Sequence, residues 1–545
     1  MNNVIFRTNA GNLCGIGHLV RSVELAKELT QNGVHCIFIL DCIEENIISF
    51  LSEMETLTLY DTIQEQINEE KDANLFLKAI KSTKPSWVIV DDYRIGATWE
   101  GIVKQANLNI CSIDDILRPH QCDALIDIRW RGDETLTQYD RLAPPETTKL
   151  LGPDYVILSS DYRKEVCKNT TAPFTILLAL GGGSDLKSLE SIIDIILEHQ
   201  NTFDFPIELR PVVGPLSSHS NDFVERYRSD PCITPIIGKN NLFQDLCETD
   251  LYIGAIGGII YQLISLHIPA LTFPLAQNQN NELKWLEDIG HFFHSNNWSN
   301  RELTDLPQFI KMVQQNYTRI HRLITSARIP IDGLGAKRIV NFLLTRQQPH
   351  TPSFYAQKTI SKDEKDLSIE HTIRPVRDQD LNHYLVCRNL DANCQNMISD
   401  EKIPFLQHYN WWFNAKRQSY LINKNNDPCL YIWHEKKSYE GLDFLIGGWF
   451  ICTPEIAFQD AIIALNWQLD HCDTHYPDIP WVAVIHKENK FVQLMNRSLG
   501  FQEVTLEHPY SKAIAHFFSD AEHDKFHFVM REPLATDQLQ KKSYL

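Results

Sequence analysis

The first residues that could do chemistry follow an apolar run at the N-terminus. Residues 4–6 (VIF) lead into NLCGIGHLVRSVELAKEL, where Gly15, Gly17 and His18 stand directly before a helical pattern. A glycine-rich turn lets the backbone approach a ligand and points helix N–H groups at it. His18 could accept a proton from water, and Arg21 lies one turn further on the same helix face. Taken alone, the motif favours a plain tight turn with a capping histidine and a solvated arginine.

The elements around this motif alternate between strands and helices through the first 345 residues. Leu19, Val23, Ala26 and Leu29 repeat at helical spacing until Asn32-Gly33. This alternation predicts parallel sheets covered by helices on both faces. The predicted strands are VIF (4–6), CIFIL (36–40), WVIV (87–90), TILLAL (175–180), LYIGAIGG (251–258) and ALTF (270–273).

The pattern predicts three domains. It restarts near residue 174, so we expect two Rossmann-like domains, 1–165 and 166–345, that face a cleft. The polar stretch 346–368 shows no hydrophobic periodicity and is predicted to be a linker. A strand-like TIRPV and a helix with Asp380 as N-cap then begin an α+β domain, 369–534, and residues 535–545 form a tail.

The overall charge restricts the partners. The chain has 51 Lys and Arg against 70 Asp and Glu, for a formal net charge of −19. This balance argues against nucleic-acid binding and against anionic membranes, but it allows a small anionic substrate held locally. The oligomeric state stays open.

Cysteine usage and hydropathy indicate the compartment. The 13 cysteines form no CxxC pair, so we expect reduced thiols, no zinc site and a cytoplasmic protein. The sequence contains no signal-peptide pattern and no apolar stretch long enough to span a membrane. We expect no metal at the active site.

Residues 1–345 resemble the nucleotide-sugar hydrolases of pseudaminic acid biosynthesis, which remove UDP from UDP-2,4-diacetamido-2,4,6-trideoxy-β-L-altropyranose. Those hydrolases are similar to the N-acetylglucosaminyltransferase of peptidoglycan synthesis and have its two-domain, GT-B-type fold. The segments that carry the resemblance, in chain order, are FRTNAGNLCGIGHLVRSVELAKEL, VIVDDYRIGATWE, SIDDILRPHQCDALID, LLGPDYVIL, LALGGGSDLKSL and PLAQNQ.

The resemblance implies two catalytic residues. His18 would orient or deprotonate the attacking water, and Tyr93 would hydrogen-bond the sugar or that water, although an ordinary buried tyrosine is the alternative. Asp92 stands where the family usually has His. The edge of the first sheet that carries His18 and Tyr93 is also expected to include Asp114, Asp115 and His120, mainly as turn caps. The expected substrate-binding residues are Gly17, Arg21, Gly182, Gly183, Ser184, Gly257, Gln262, Asn278 and Gln279.

One segment departs from the family pattern. GAIGGIIYQL places Gly258 and Ile259 where the family has Ser and Thr, and Gln262 where it has Glu. In related transferases that Glu binds the uridine ribose. A neutral Gln forms a weaker hydrogen bond, so the segment predicts weakened nucleotide binding.

Residues 371–505 resemble the GCN5-related N-acetyltransferases (GNAT), in particular those that acetylate the 4-amino group of the same sugar pathway. The matching segments are IRPVRDQDLNHYLVCRN, NMISDEKIPFLQHYNWW and WVAVIHKENKFVQLMNRSLGFQEV. The resemblance implies that acetyl-CoA is a possible ligand of residues 369–534 and that Asn489 contacts it, although a helix N-cap explains Asn489 at least as well. His408 and Trp412 are candidates for the core, for a substrate platform or, equally, for catalysis.

The loop expected to bind the pyrophosphate lacks glycine. It reads ICTPEIAFQDAIIALNWQL, in which Pro454 has no N–H, and Glu455 and Asp460 add negative charge. This loop predicts poor acetyl-CoA binding.

The leading hypothesis is therefore a hydrolase of a UDP-linked diacetamido sugar fused to an acetyltransferase-like domain. A glycosyltransferase with the same two-domain cleft, and a non-catalytic sugar-nucleotide-binding or scaffold protein, remain alternatives.

Overall fold

A computed structural model of the 545-residue chain describes residues 3–11, 14–164, 173–183, 186–217, 220–274, 283–295, 300–347, 363–505 and 507–533. The chain divides into two compact units, Met1–Gln357 and Lys358–Leu545. We call them the first and the second unit.

In the described residues, the first sheet of the first unit has seven parallel strands in the order β3-β2-β1-β4-β5-β6-β7. The strands are β1 Asn3–Thr8, β2 His35–Leu40, β3 Glu55–Thr58, β4 Pro85–Asp91, β5 Ile110–Ile113, β6 Ala124–Asp127 and β7 Thr148–Leu151. The helices are α1 Gly17–Gln31, α2 Ile48–Leu51, α3 Glu69–Ala79 and α4 Ala97–Lys104.

The second sheet repeats this order: across the ranges described, six parallel strands follow one another as β10-β9-β8-β11-β12-β13. The strands are β8 Phe174–Ala179, β9 Ile207–Val213, β10 Ile236–Ile237, β11 Leu251–Ala255, β12 Ala270–Phe273 and β13 Phe293–His294. The helices are α5 Leu186–Glu198, α6 Ser220–Tyr227, α7 Phe243–Cys247, α8 Ile259–Ser265, α9 Leu283–Asp288, α10 Asn300–Gln315, α11 Tyr317–Thr325 and α12 Gly335–Thr345.

Both sheets are doubly wound, with the chain reversing direction between β1 and β4 and between β8 and β11. Ligands of open α/β sheets bind at the carboxyl ends of such strand pairs. The strands read as apolar runs because both sheet faces are buried. Helix α1 buries the predicted stripe of Leu19, Val23, Ala26 and Leu29.

The last helix of the first unit joins the two sheets. Helix α12 follows the second sheet in the chain, yet its buried face packs into the core of the first sheet. Trp87 of β4 donates its indole N–H to the carbonyl of Leu343 at 2.8 Å. The helix therefore ties residues after 334 to the strand that ends in the candidate site.

The second unit contains a mixed sheet, which within its described ranges has eight strands in the order β14-β15-β16-β17-β18-β19-β21-β20. The strands are β14 Lys365–Asp366, β15 His371–Pro375, β16 Gln418–Lys424, β17 Asp427–Tyr439, β18 Leu442–Ile451, β19 Trp481–His486, β20 Gln502–Glu503 and β21 Phe526–Arg531. The helices are α13 Leu381–Arg388, α14 Asp391–Cys394, α15 Phe405–Asn414, α16 Phe458–His475, α17 Lys490–Ser498 and α18 Tyr510–Phe517.

Strands β18 and β19 are parallel and pair through Leu445 and Trp481, whereas the other strand pairs of this sheet are antiparallel. A β-carbon at Gly447 would lie 2.5 Å from the Trp481 ring. Only glycine fits there, because the indole occupies the place of a side chain.

No helix in the described part of the chain is both long and apolar enough to cross a membrane.

Candidate active site

The turn after β1 places His18 at the carboxyl edge of the first sheet. Gly11 and Gly15 exchange backbone hydrogen bonds of 3.0 and 2.8 Å, and both have positive φ, 143° and 72°. This conformation favours glycine. The following helix begins at Gly17, which is exposed, and His18 lies in its first turn.

The histidine is held by a buried carboxylate. Asp91, the last residue of β4, pairs with Thr8 of the neighbouring strand and is fully buried. Its Oδ1 lies 2.6 Å from His18 Nδ1, and its Oδ2 accepts from Arg21 Nε at 2.6 Å. Burial alone would raise the pKa of Asp91, but Arg21 and His18 outweigh burial and hold the pKa well below its usual value. Asp91 is therefore an ionised acceptor.

This arrangement selects one tautomer of His18. Arg21 Nη2 also lies 3.1 Å from His18 Nδ1, but as a cation it can only donate, and it donates to Asp91 Oδ1 at 2.5 Å. A proton on Nδ1 that points to Asp91 satisfies the carboxylate and leaves Nε2 with its lone pair. An aspartate fixes the base of the serine-protease triad in the same way. The geometry suits general-base catalysis at Nε2.

Tyr93 lies beside this pair. Its ring meets the His18 ring edge-on, with centroids 4.4 Å apart, and its hydroxyl donates to Asp115 Oδ1. Burial first and the Asp115 carboxylate second raise the pKa of Tyr93. The hydroxyl stays protonated at neutral pH. Arg21 also reaches Asp115, with Nη1 at 3.3 Å from Oδ2.

The neighbouring acidic residues have other partners. Asp92 binds Arg94, whose Nη1 donates to Asp41 at 2.7 Å. Asp114 caps its turn by accepting the N–H of Arg118 at 3.0 Å. His120 is buried behind the edge, with Nδ1 2.8 Å from Glu100.

The second sheet presents glycines at the equivalent edge. Gly182 and Gly183 follow β8, and Gly257 and Gly258 follow β11 just before α8. A β-carbon at Gly182 would lie 2.9 Å from Cγ1 of Ile16. The first turn of the second sheet therefore meets the turn that carries His18.

The predicted ribose contact already has a partner. Gln262 of α8 is half-buried, and its Oε1 accepts a hydrogen bond from the Tyr162 hydroxyl at 2.9 Å. Three predicted binding residues, Ser184, Asn278 and Gln279, lie outside the described residues.

In the second unit, Asn489 is the N-cap of α17. Its Oδ1 accepts from Val492 N at 3.1 Å, and its Nδ2 donates to Asn396 at 2.9 Å. His408 is buried, and its Nε2 lies 2.9 Å from the carbonyl of Leu381, while Trp412 donates to Asp378 at 3.0 Å. Both are core residues.

The N-terminus of α16 is occupied by its own carboxylate. Asp460 is 2% exposed and accepts from Ala457 N at 2.8 Å, and Lys424 and His371 also contact it. The start of α16 thus has a negative charge, and its Ala457 N–H is already hydrogen-bonded to Asp460. A bound diphosphate would need free N–H donors at a helix N-terminus.

The residue that the sequence analysis missed is Asp91. It ends the apolar run WVIV, directly before the Asp92-Tyr93 pair. An acidic residue at the end of a predicted central strand is the signal that could have identified it. In the described residues, two groups have metal-ligating side chains close together: Glu100, His120 and Cys122, and His383, Cys387 and Cys452.

The fold and this site define an α/β protein with two doubly wound sheets, a polar Asp–His–Tyr site at one carboxyl edge and glycine turns at the other. The chain is similar over 53% of its length to the UDP-2,4-diacetamido-2,4,6-trideoxy-β-L-altropyranose hydrolase of Campylobacter jejuni, with 22% identity over 293 residues and 97% of that protein covered. No family model matches the chain.

Two further proteins are similar. An uncharacterized protein of Methanocaldococcus jannaschii is 22% identical over 470 residues, which are 83% of this chain and 88% of that protein. The crystal structure of MurG from Acinetobacter baumannii superposes with a TM-score of 0.44 and 14% identity, over 63% of this chain and 99% of that one.

Proposed function

We propose that residues 1–345 hydrolyse a UDP-linked diacetamido-trideoxy sugar and release UDP, as a step towards a nonulosonic acid of the pseudaminic type. The observation that carries the proposal is the buried Asp91 that binds Nδ1 of His18 and leaves Nε2 as the proton acceptor. The similarity to the altropyranose hydrolase, which covers nearly that whole enzyme, supports the choice of substrate.

In the proposed reaction, His18 Nε2 accepts a proton from water while the water oxygen attacks C1 of the sugar. The C1–O bond to the diphosphate breaks, and its electron pair leaves with UDP. Because UDP is a good leaving group, placement of the water and stabilisation of the departing charge are the main requirements. Tyr93 would orient the water or a sugar hydroxyl.

We assign binding of the nucleotide to the glycine turns of the second sheet. The backbone N–H groups of Gly182, Gly183 and Gly257 would bind the diphosphate, with Ser184, Asn278 and Gln279 as further candidates. The resemblance predicts that Arg21 binds substrate, and its guanidinium contacts Asp91 and Asp115. We therefore propose that Arg21 positions these carboxylates.

Release of UDP from synthetic UDP-diacetamido sugars tests the proposal. In H₂¹⁸O, breakage of the C1–O bond puts the label in the free sugar, and His18→Ala should abolish most of the turnover. Label in UDP would contradict the proposed mechanism. Sugar found on an added acceptor, with no free sugar, would instead indicate a GT-B-type glycosyltransferase.

A second candidate is a non-catalytic sugar-nucleotide-binding protein. The hydrogen bond between Gln262 and Tyr162 favours it, since the side chain expected to bind the ribose is engaged within the protein. Binding of UDP-sugar without turnover in the purified wild-type chain would select this candidate over the hydrolase.

For residues 369–534 we propose a GNAT-like domain that binds acetyl-CoA poorly or not at all. The parallel contact of β18 with β19 in a mostly antiparallel sheet supports the fold. The buried Asp460 at the start of α16 supports the loss of diphosphate binding. Calorimetric titration of the chain with acetyl-CoA should give no heat of binding, whereas stoichiometric binding with acetyl transfer to an amino sugar would refute the proposal.

A further inference from the structure

Three side chains in the second unit bring a nitrogen and two sulfur atoms together. His383 and Cys387 lie one turn apart on α13, and Cys452 directly follows β18. One ring nitrogen of His383, Sγ of Cys387 and Sγ of Cys452 form a group whose ligand atoms all lie within 4.8 Å of one another. Residues that are 65 positions apart in sequence thus converge on one point.

The surrounding contacts fix the orientation of His383. Its Nδ1 lies 2.7 Å from the Tyr431 hydroxyl, and of its two ring nitrogens Nε2 is the nearer to Cys387 Sγ, at 3.5 Å against 3.8 Å for Nδ1. Ligating histidines are held in this way by a hydrogen bond at their other ring nitrogen.

The end of β18 is also fixed. Asn393 donates to the carbonyl of Ile451 at 2.8 Å and accepts its N–H at 3.1 Å. This pair of hydrogen bonds holds the backbone directly before Cys452 against the segment that follows α13. The position of Cys452 is therefore fixed by these backbone contacts.

We propose that His383, Cys387 and Cys452 bind a zinc ion, with the fourth coordination position open to solvent. In a tetrahedral site, Zn–S bonds of about 2.3 Å and Zn–N bonds of about 2.0 Å place sulfur and nitrogen roughly 3.5 Å apart. The separation of Cys387 Sγ from His383 Nε2 is 3.5 Å. Two thiolates and an imidazole are ligands that suit zinc, and a set of three leaves room for water.

Binding is balanced by loss of two protons, because zinc takes the place of the thiol protons of Cys387 and Cys452. His383 is exposed, so the ion can reach the site from solvent, whereas Cys387 is buried. The scattered cysteines predict no zinc site. The proposal rests instead on an H-x₃-C pair on a helix that the fold brings close to a distant cysteine.

The group of Glu100, His120 and Cys122 is a poorer candidate. All three are buried, and Glu100 already accepts hydrogen bonds from Ser112, at 2.6 Å, and from Gln121 N. A metal ion there would have to displace existing partners of the carboxylate.

Cobalt substitution of the full-length chain tests the proposal. The protein is stripped with EDTA, kept reduced with a phosphine and titrated with Co²⁺. The expected spectrum has a thiolate-to-cobalt band in the near ultraviolet and strong visible bands of a tetrahedral ion, both abolished by one equivalent of Zn²⁺. His383→Ala and Cys452→Ser should each weaken zinc binding at least about 100-fold, in line with loss of one ligand.

Cys394→Ser is the matched control, because Cys394 lies on the neighbouring helix α14 outside the group. It should bind cobalt and zinc like the wild type. His383→Ala removes an exposed side chain, so it should fold even if a cysteine variant does not. Absence of the thiolate band in the reduced wild type, or an unchanged spectrum in His383→Ala, would overturn the proposal.

Discussion

The two sheets of the first unit share a strand order but differ in chemistry at their central strand pairs. Around β1 and β4, the buried carboxylate of Asp91 holds His18 and Arg21. The turns after β8 and β11 are rich in glycine, and a β-carbon at Gly182 would clash with Ile16. The same topology thus places a histidine bound to a buried carboxylate at one sheet and glycine turns at the other.

The comparison shows how a doubly wound fold can divide a reaction. Oriented side chains need buried partners that fix their protonation and direction. A bound diphosphate needs close backbone N–H groups, and side chains would hold it away. Variants at the first sheet should therefore change turnover, and variants at the second sheet should change affinity.

The largest expected effect comes from Asp91→Asn. The amide can donate to His18 Nδ1 and would favour the tautomer with the proton on Nε2, which cannot act as a base. We expect turnover to fall by about 10⁴, the scale known for the same change in a serine-protease triad. Release of UDP in a coupled assay measures it.

Asp92→Asn is the matched control for that variant. Asp92 adjoins Asp91 in sequence, but its carboxylate binds Arg94. Its turnover should stay within a few-fold of the wild type. Equal losses in the two variants would mean that general damage to this edge, and not the tautomer of His18, limits the reaction.

The strands themselves were largely predictable from the sequence. The run ALTF (270–273) coincides with β12, and the stripe from Leu19 to Leu29 lies on α1. Apolar periodicity suffices for these elements because burial on both faces dictates the residue types.

The partners of the site residues were not predictable in the same way. That Asp91 reaches His18 depends on β1 pairing with β4, 83 residues later, which periodicity does not reveal. For the same reason the sequence does not reveal that Arg21 contacts the carboxylates of Asp91 and Asp115. The proximity of Cys387 and Cys452 likewise depends on how helix α13 packs against the end of strand β18.

A buried histidine beside each sheet should make the stability of the fold depend on pH, and the two dependences should have opposite signs. Burial alone would lower the pKa of His120 beside the first sheet, but hydrogen bonds with Asp114 and Glu100 raise it to about 9 from 6.5. Burial, with a smaller effect of His294, lowers the pKa of His291 beside the second sheet to about 3. His120 therefore stabilises the fold below pH 6.5 and loses this effect as the pH rises to 9, whereas His291 stabilises above pH 6.5 and loses its effect as the pH falls towards 3.

Thermal unfolding from pH 4 to pH 9 measures both effects. Each pKa shift corresponds to a few kcal/mol at most, on the order of 3 kcal/mol for His120. In a plot of unfolding temperature against pH, His120→Gln should flatten the alkaline side and leave the acid side unchanged. His291→Gln should flatten the acid side and leave the alkaline side unchanged. Identical profiles for the two variants would show that the histidines do not cause the pH dependence.

A smaller effect is expected from Gly182→Val. The added side chain would clash with Ile16 and push the two turns apart. A shift that removes one backbone hydrogen bond to the charged diphosphate costs about 1.5–3 kcal/mol, so UDP affinity should fall roughly 10–100-fold. Calorimetry with UDP measures the affinity, and Gly101→Ala, at a site with open space around it, is the control. An unchanged affinity would show that nucleotide does not bind at this turn.

The smallest effect is expected from Gln262→Glu. One carboxylate oxygen could keep the hydrogen bond from Tyr162 while the other accepts from a ribose hydroxyl. A charged acceptor is stronger than a neutral one by about 1 kcal/mol, so UDP should bind roughly five-fold more tightly. Weaker binding in a titration would place the ribose elsewhere.

The central claim is that the first sheet carries the chemistry and the second sheet the nucleotide. His18→Asn tests it most directly, since the Asn amide can still donate to Asp91 but has no basic nitrogen. With turnover and UDP affinity measured on the same preparation, we expect turnover to fall by about 10²–10⁴, the usual contribution of a general base, with UDP affinity unchanged. Near-wild-type turnover, or a parallel loss of UDP binding, would contradict the account.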